Sequence, residues 1–307
     1  MFYNFILIPT QLRSIDFLRE SVNCVLKQIS HNDRIIITND SIKDDNNLIN
    51  LLKIKDNRIL VSNNNKSNNS ASTRNNGISY VSRYIIDNSI PINKTLIFLL
   101  DDDDLWSDNY LKIYNSIFNS YNNCLFLISR ITYSKNQINF IKYDHNKIKH
   151  LNNNTFGIID YGAGPSSFAF RLDYFLENGF FDENINLHEG KEYLLRLRKS
   201  QHVYLYNNKI VFHRIHNLQS TSDRKNEKIL SNLKFYKKYR NSLKSKERKI
   251  LFLITKISSN NYKKIDSTNI YLKLILYCII DRKYFFHVSL KNIYLILRKK
   301  INEFITN

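Results

Sequence analysis

The chain has 307 residues and a formal net charge of +19 at pH 7. Its charged (24%) and hydrophobic (43%) fractions are those of folded proteins, so a disordered chain is excluded. No apolar run approaches the ~20 residues of a membrane-spanning helix. The three cysteines match no metal-binding spacing, and the apolar start of the chain lacks the basic flank of a signal peptide. We therefore expect a protein of the reducing cytoplasm.

The predicted elements alternate between strands and helices. In chain order, the pattern predicts a strand over 2–8, a helix over 15–28 with Ser14 as its N-cap, strands over 34–38 and 58–61, a helix over 71–88, a strand over 95–100, a helix over 109–121, strands over 124–133 and 168–170, a helix that begins near 188, and strands over 203–206 and 210–212. Residues 134–154 are predicted to be irregular. This alternation is typical of a parallel sheet covered by helices on both faces.

The positive charge is concentrated near the end of the chain. From Arg224 to Asn307 there are 21 Lys and Arg residues against 5 Asp and Glu residues, whereas the residues before them are nearly neutral. This last part also has apolar residues at helical spacing. We therefore predict a main domain over residues 1–222 and a basic, α-helical C-terminal extension over residues 223–307. The extension either caps the core or docks on an anionic membrane surface.

The strand predicted over 95–100 leads directly into four consecutive aspartates, Asp101 to Asp104, which we call the Asp run. The carboxyl ends of strands in an open α/β sheet form the crevice where ligands bind. Four neighbouring carboxylates repel one another, so they require protons or a cation, and oxygen ligands suit Mg²⁺ or Mn²⁺. Alternate residues of an extended strand end face the same way, which directs Asp101 and Asp103 toward one cation. The alternative is a solvated acidic turn before the next helix.

Segments spread over residues 2–222 resemble glycosyltransferase family 2 in their order and spacing. The segments that carry the resemblance are Ile8-Pro9-Thr10, Asn39-Asp40, Arg74 to Ile78, Leu100 to Trp106, Gly179 to Glu183 and Glu189 to Arg196. The resemblance implies a GT-A fold: an α/β, Rossmann-like, mostly parallel central sheet with helices on both faces. It also implies an inverting, metal-dependent transfer of a hexose from a nucleotide-diphosphate sugar to an acceptor hydroxyl.

The same resemblance assigns residues to the sugar donor. It implies that Pro9 and Thr10 border the nucleotide pocket and that Asp40, or Asn39 beside it, contacts the base or the ribose. Arg74 would meet the diphosphate.

In the Asp run, the resemblance implies that Asp101 and Asp103 hold Mn²⁺ or Mg²⁺, with Asp103 as the direct ligand and Asp102 beside the donor. The metal would neutralise the diphosphate as it leaves. His216 is a further metal or diphosphate contact in this interpretation, and a structural histidine is the alternative. Trp106 either stacks on the acceptor sugar or lies in the core.

Inversion needs a carboxylate that takes the proton of the acceptor hydroxyl. The Glu-Asp pair that is usual in the family is Glu189-Gly190 here, so the customary Asp is missing. We predict Glu189 as the base and Glu192 as the second candidate, because the two lie one turn apart on a predicted helix. The alternative is that both carboxylates only favour the dipole of that helix.

We predict a UDP-sugar as the favoured donor and a glycan or glycolipid as the acceptor, in the synthesis of bacterial lipopolysaccharide O-antigen or capsule. The basic extension would then lie at the inner face of the cytoplasmic membrane. We do not expect a nucleic-acid partner. Nucleotidyl transfer predicts a glycine-rich, Lys-bearing phosphate loop that the chain lacks, and glycoside hydrolysis needs no metal. The remaining alternative is a polyanion- or membrane-binding protein with a catalytically inactive GT-A-like domain.

Overall fold

The computed structural model describes residues 2–40, 48–64, 69–134, 140–152, 163–185, 187–214, 216, 231, 234–244 and 247. The chain divides into two compact units, Met1–Phe156 with Ala163–Thr221, and Gly157–Gly162 with Ser222–Asn307. The basic extension falls mostly outside the described residues, so the predicted domain boundary stays a prediction. No described helix is long and apolar enough to cross a membrane.

The described strands of the first unit form a nine-stranded sheet in the order β3-β2-β1-β4-β8-β6-β9-β5, and β7 also pairs with β9. The strands are β1 (Tyr3–Thr10), β2 (Arg34–Asn39), β3 (Ile59–Asn63), β4 (Thr95–Leu99), β5 (Leu105–Trp106), β6 (Phe126–Ser134), β7 (Ile148–Leu151), β8 (Ala169–Arg171) and β9 (Val203–Arg214). Strands β3, β2, β1 and β4 are parallel neighbours, and β6 is parallel to β9. Strand β8 pairs antiparallel with both β4 and β6. The predicted α/β architecture is confirmed.

Helices pack on both faces of this sheet. The described helices are α1 (Ile15–Leu26), α2 (Leu48–Leu52), α3 (Ser70–Asp87), α4 (Tyr110–Ser120), α5 (Leu172–Asn178) and α6 (Glu189–Arg196). Ile6 and Ile8 of β1 join a core cluster that includes side chains of α1 and α4. Leu7, which points the opposite way, lies against Gly77 of α3. Ser14 caps α1 as predicted, because its Oγ accepts a hydrogen bond from the Phe17 N–H at 3.3 Å.

The sheet differs from the prediction in two places. Strand β7 lies in the stretch predicted to be irregular, because its four residues are too few to show a period. Strand β9 is continuous from Val203 to Arg214, where two short strands were predicted on either side of Asn207. The register between β6 and β9 shifts at Arg130, and this irregularity accommodates the polar residues without breaking the strand. The short elements α2, α5 and β5 were also not predicted.

Gly77 sets the distance between α3 and the sheet. A Cβ added at this position would lie 2.6 Å from Thr38 Oγ1 and 3.4 Å from a methyl group of Leu7. We expect Gly77→Ala to destabilise the protein by about 1 kcal/mol, because an overpacking cost of about 2 kcal/mol outweighs a gain in helix propensity of about 1 kcal/mol. Urea unfolding measures this difference, with Arg83→Ala on the exposed face of α3 as the control. An unchanged or higher stability of Gly77→Ala would contradict the close packing.

Candidate functional site

The candidate site lies where strand ends converge. The registers of the parallel pairs place Thr10 beside Asn39 and Leu7 beside Leu99, so β1, β2 and β4 end at one edge of the sheet. Strand β6 runs in the same direction as β4, since β8 is antiparallel to both. Strands β6 and β9 therefore end at this edge as well, and Arg214 closes β9 there. We call it the carboxyl edge.

The Asp run is not a solvated turn. Asp102 is 6% exposed and Asp104 is 2% exposed, so the alternative interpretation of an acidic surface loop is wrong. The hydroxyl of Thr10 donates a hydrogen bond to Asp102 Oδ2 at 2.5 Å. Ser166 Oγ donates to Asp104 Oδ2 at 2.5 Å, and His213 Nδ1 lies 3.0 Å from Asp104 Oδ1. Asp104 outweighs the effect of burial on the imidazole and raises the pKa of His213 to about 9.

The two remaining aspartates have different cationic or basic partners. Asp101 Oδ1 lies 2.5 Å from a terminal nitrogen of Arg74, and Asp103 Oδ2 lies 3.0 Å from Nε2 of His216. Each carboxylate of the Asp run is thus stabilised by its own hydroxyl, guanidinium or imidazole partner. These partners offset part of the mutual repulsion that the sequence predicts, and burial together with the remaining repulsion still raises the pKa of Asp102 and Asp104.

Burial and the neighbouring Asp103 raise the pKa of Asp102 to about 7, from an unfolded value near 3.9. The native state therefore retains a proton between about pH 4 and 7 that the unfolded chain releases, and stability falls as the pH rises through this range. The Asn side chain of Asp102→Asn stays uncharged. We therefore expect the free energy of unfolding of this variant to rise relative to that of the wild type by up to about 4 kcal/mol across this pH range, at about 1.4 kcal/mol for each pKa unit. Urea unfolding at several pH values in EDTA measures the gain, with exposed Asp108→Asn as the control. Parallel pH curves for Asp102→Asn and the wild type would contradict it.

Arg74 lies between two carboxylates at the start of α3. Its two terminal nitrogens lie 2.5 Å from Asp101 Oδ1 and 2.5 Å from Glu189 Oε1, and the residue is 3% exposed. Ser70 Oγ donates a second hydrogen bond to Glu189 Oε1 at 3.1 Å. In the structure the guanidinium faces these two carboxylates, and its predicted contact with the donor diphosphate stays a prediction.

The two candidate bases have different surroundings. Glu189 is 6% exposed and is bonded to Arg74, which is also bonded to Asp101, the first residue of the Asp run. Glu192, 1% exposed, lies 2.6 Å from Nε of Arg196 on its own helix. The structure brings Glu189 into contact with Arg74, which in turn contacts Asp101 at the carboxyl edge.

Gly190 stands where the family resemblance leads us to expect an Asp. A Cβ at this position would lie 3.2 Å from Cγ of Pro165 and 3.3 Å from the ring of Phe168. These distances are tighter than most real Cβ contacts, so a side chain at this position would require Pro165 and Phe168 to shift by a few tenths of an ångström. Glu189 is the acidic residue of that pair in this chain.

The residues predicted to bind the nucleotide lie together at the ends of β1 and β2. The backbone N–H of Asp40 donates to the Thr10 carbonyl at 2.8 Å, which ties the two strand ends to each other. The carboxylate of Asp40 accepts hydrogen bonds from Asn64 at 3.0 Å and from Gln11 at 3.3 Å. Burial raises the pKa of Asp40 above its ordinary value. Pro9 precedes Thr10 on β1.

Comparison with known proteins identifies the family of this chain. A sequence model described as glycosyl transferase family 2 matches residues 5–179. The chain belongs to glycosyltransferase family 2. No curated protein sequence matches it.

Solved structures of TarS from S. aureus resemble this family 2 chain. TarS 1–349 matches with a TM-score of 0.54 and 12% identity over 86% of this chain and 74% of that chain. The complex of TarS 1–349 with UDP-GlcNAc matches with a TM-score of 0.54 and 13% identity, over 87% of this chain and 74% of that chain. The complex with UDP matches with a TM-score of 0.53 and 13% identity, over 87% of this chain and 73% of that chain. At this identity the likeness concerns the fold alone, and with the family it confirms the predicted GT-A-like architecture.

A cleft beside the Asp run was only partly predicted. It is lined by Arg13, Ser14, Phe17, Asp102, Asp103 and His216. Sequence reasoning identified both aspartates and His216 but did not identify Arg13 or Phe17 as site residues. The signal was available, because Arg13 lies in the β1–α1 connection and Phe17 lies in the first turn of α1, both shortly after the predicted nucleotide-binding Pro9 and Thr10.

Family 2 enzymes usually use a divalent cation, and this cleft offers two candidate ligands for one. Asp103 Oδ2 is an oxygen ligand of the kind that suits Mn²⁺ or Mg²⁺, and His216 Nε2, hydrogen-bonded to it at 3.0 Å, is a softer nitrogen ligand. The other ring nitrogen of His216 is buried and has no hydrogen-bond partner in the described part of the chain. No group of three or more acidic, His or Cys side chains there is arranged around one ion. Mg²⁺, however, is commonly held by one or two carboxylates together with substrate phosphates. Asp101, predicted as a second ligand, is instead paired with Arg74.

Trp106 lies in the core of this family 2 domain. The residue is 0% exposed, its ring stacks on Tyr110 with centroids 4.0 Å apart, and its indole N–H donates to the carbonyl of Ser166 at 2.8 Å. The prediction that Trp106 stacks on the acceptor sugar is therefore wrong, and the alternative of a core residue holds. A fully buried ring has no face available for a ligand.

Proposed function

We propose that the chain is an inverting, metal-dependent glycosyltransferase that moves a sugar from a UDP-sugar to the hydroxyl of a glycan or glycolipid. The observation that carries the proposal is that Asp40, the Asp run and Glu189 meet at one edge of the sheet. Membership of family 2 supports the nucleotide-sugar donor. The binding of UDP and UDP-GlcNAc by TarS supports UDP as the nucleotide.

In this proposal the ends of β1 and β2 bind the nucleoside, with Asn39 and Asp40 facing the base or ribose. The cleft beside the Asp run, which Arg13 lines, binds the diphosphate in this proposal, because a guanidinium suits phosphate oxygens. A divalent cation, when bound by Asp103 and His216, neutralises charge on the diphosphate leaving group.

Glu189 acts on the acceptor. Its carboxylate accepts the proton of the acceptor hydroxyl as the oxygen forms a bond to the anomeric carbon of the sugar. The bond from that carbon to the diphosphate oxygen breaks, and UDP leaves with the bonding electrons. A single displacement inverts the configuration, and the protein needs only one base for it.

The proposed class of acceptor, a lipid-linked glycan, is based on the positive charge of the C-terminal extension. The basic extension would hold the enzyme at an anionic membrane surface, where lipid-linked glycans for lipopolysaccharide or capsule are assembled. The extension lies mostly outside the described residues, so the structure does not test its contact with a membrane. The cytoplasmic location and the membrane contact are therefore part of the same proposal.

Two measurements test the proposal. The first is thermal unfolding with UDP in Mn²⁺, in Mg²⁺ and in EDTA, since a ligand at a hundredfold excess over its Kd stabilises a protein by about 2.7 kcal/mol. The second is release of UDP from UDP-GlcNAc, UDP-glucose and UDP-galactose, with water as the acceptor. Stabilisation only with metal and release from one sugar are expected. No stabilisation and no release would favour the inactive, polyanion-binding alternative, which salt-sensitive binding to anionic vesicles would then support.

A further inference from the structure

The start of α3 connects the two sides of the candidate site. One terminal nitrogen of Arg74 bonds to Glu189 at the beginning of α6, and the other bonds to Asp101 at the end of β4, both at 2.5 Å. Arg74 and Glu189 are 3% and 6% exposed. A single buried side chain therefore bridges the proposed base and the Asp run.

The chemistry of this bridge requires arginine. A guanidinium presents several N–H donors in a planar, rigid fork and can bond to two carboxylates in fixed directions at the same time. The ammonium group of lysine is a point charge without this geometry. Because the bridge is buried, loss of the arginine would leave the Glu189 carboxylate without its nearest positive charge.

The backbone that carries Arg74 is itself fixed to the chain that leads to α6. The side chain of Asn75 accepts a hydrogen bond from the Phe181 N–H at 3.0 Å and donates to the Phe181 carbonyl at 2.9 Å. Asn69 donates to the carbonyl of Glu183 at 2.6 Å. These bonds hold α3 and the segment before α6 in register, so Arg74 meets Glu189 in one orientation.

We propose that Arg74 is a positioning residue that fixes the direction of the Glu189 carboxylate relative to Asp101. The inference rests on the proposed function, because it takes Glu189 as the base. It replaces the expected contact of Arg74 with the diphosphate by a contact through which the base is aimed.

Helix α6 provides a matched control. Glu192 and Arg196 form a second Glu–Arg pair on the same helix, with Nε 2.6 Å from Oε1. Arg196 also donates to the carbonyls of Asn178 and Phe180 at 2.6 and 2.7 Å. This pair joins α6 to the chain after α5, so its loss reports the effect of breaking a Glu–Arg pair of this helix that does not include Glu189.

The experiment compares Arg74→Gln, Arg74→Lys and Arg196→Gln by UDP release from the UDP-sugar that the wild type turns over, and by the Kd for UDP in Mn²⁺. We expect Arg74→Gln to lower kcat for release about 100-fold, the effect of a misplaced reacting group. The Kd for UDP changes less than about threefold, because Arg74 does not contact the donor in this inference. Arg74→Lys keeps the charge and recovers part of the rate. Arg196→Gln lowers Tm without lowering kcat at temperatures where it is folded.

Two results would overturn the positioning role. If Arg74→Gln weakens UDP binding as much as it slows release, the arginine contacts the donor instead. If Arg74→Gln and Arg196→Gln slow release equally, the bridge is only structural. These results leave the proposed function intact.

A double-mutant cycle measured by thermal unfolding tests the interaction between Arg74 and Glu189 without any measurement of turnover. Arg74→Gln and Glu189→Gln are expected to lower Tm singly, and the double variant to lower it by less than the sum, because the two side chains share one interaction. Additive losses would overturn the inference even in an active enzyme. A wild type that binds no UDP and releases none overturns the proposed function, and the positioning role with it, whatever the cycle gives.

Discussion

Glu189→Gln is expected to lower the release of UDP from the donor by about 10²- to 10⁴-fold, the usual contribution of a general base. The glutamine side chain keeps the shape of the carboxylate and an oxygen that can accept the hydrogen bond from Ser70. It cannot take a proton from the acceptor hydroxyl, so the change removes the chemistry with little change in shape. UDP binding in Mn²⁺ is expected to stay within about threefold of the wild type, because only the transition state uses the base.

Glu192→Gln is the control that separates the two predicted bases. Its carboxylate faces Arg196 on the same helix, so this variant is expected to be less stable and to keep its turnover when folded. Turnover is measured by UDP release at a temperature well below the Tm of each variant. Loss of turnover in Glu192→Gln with retention in Glu189→Gln would reverse the assignment.

Asp103→Ala is expected to abolish the dependence of UDP binding on metal. The variant removes the carboxylate that lies beside His216, and one imidazole together with the diphosphate provides too few ligands for tight binding. In thermal unfolding, UDP with Mn²⁺ would then stabilise the variant no more than UDP with EDTA. For the wild type the difference is about 2.7 kcal/mol at a hundredfold excess over Kd.

The matched control for this variant is Asp108→Ala. Asp108 is exposed and lies just beyond the Asp run, so its removal changes the local charge equally without removing a proposed ligand. We expect Asp108→Ala to respond to UDP and Mn²⁺ as the wild type does. Equal loss of the response in both variants would indicate a general effect of negative charge, and an undiminished response in Asp103→Ala would exclude the assigned ligand.

The parts of the fold that the sequence predicts are those with a clear period or a clear end signal. The buried apolar strand before the Asp run, and Ser14 at the start of α1, fall into this class and lie where they were expected. The sequence also predicts that the ends of β1, β2 and β4 lie together, because parallel strands end at the same edge. Family resemblance adds the chemical roles that residue patterns alone do not provide.

The contacts inside the site could not be predicted in this way. Whether Arg74 faces a phosphate or two carboxylates depends on where α6 packs, which is 115 residues away in the chain. The burial of Trp106 depends on stacking with Tyr110 and on β5, a two-residue strand without any period. The close packing of Gly190 against Pro165 likewise depends on a segment that is distant in the chain.

The short helical turn Pro165–Ser167 has a consequence for specificity. Ser166 bonds to Asp104 and to the backbone of Asp101, while Pro165 supports Gly190 at the start of α6. One short turn thus contacts both the Asp run and the start of α6, so it sets the spacing between the proposed donor half of the site and the proposed base. Changes in the surrounding loops can then alter the acceptor without altering the spacing on which the proposed bond-forming step depends.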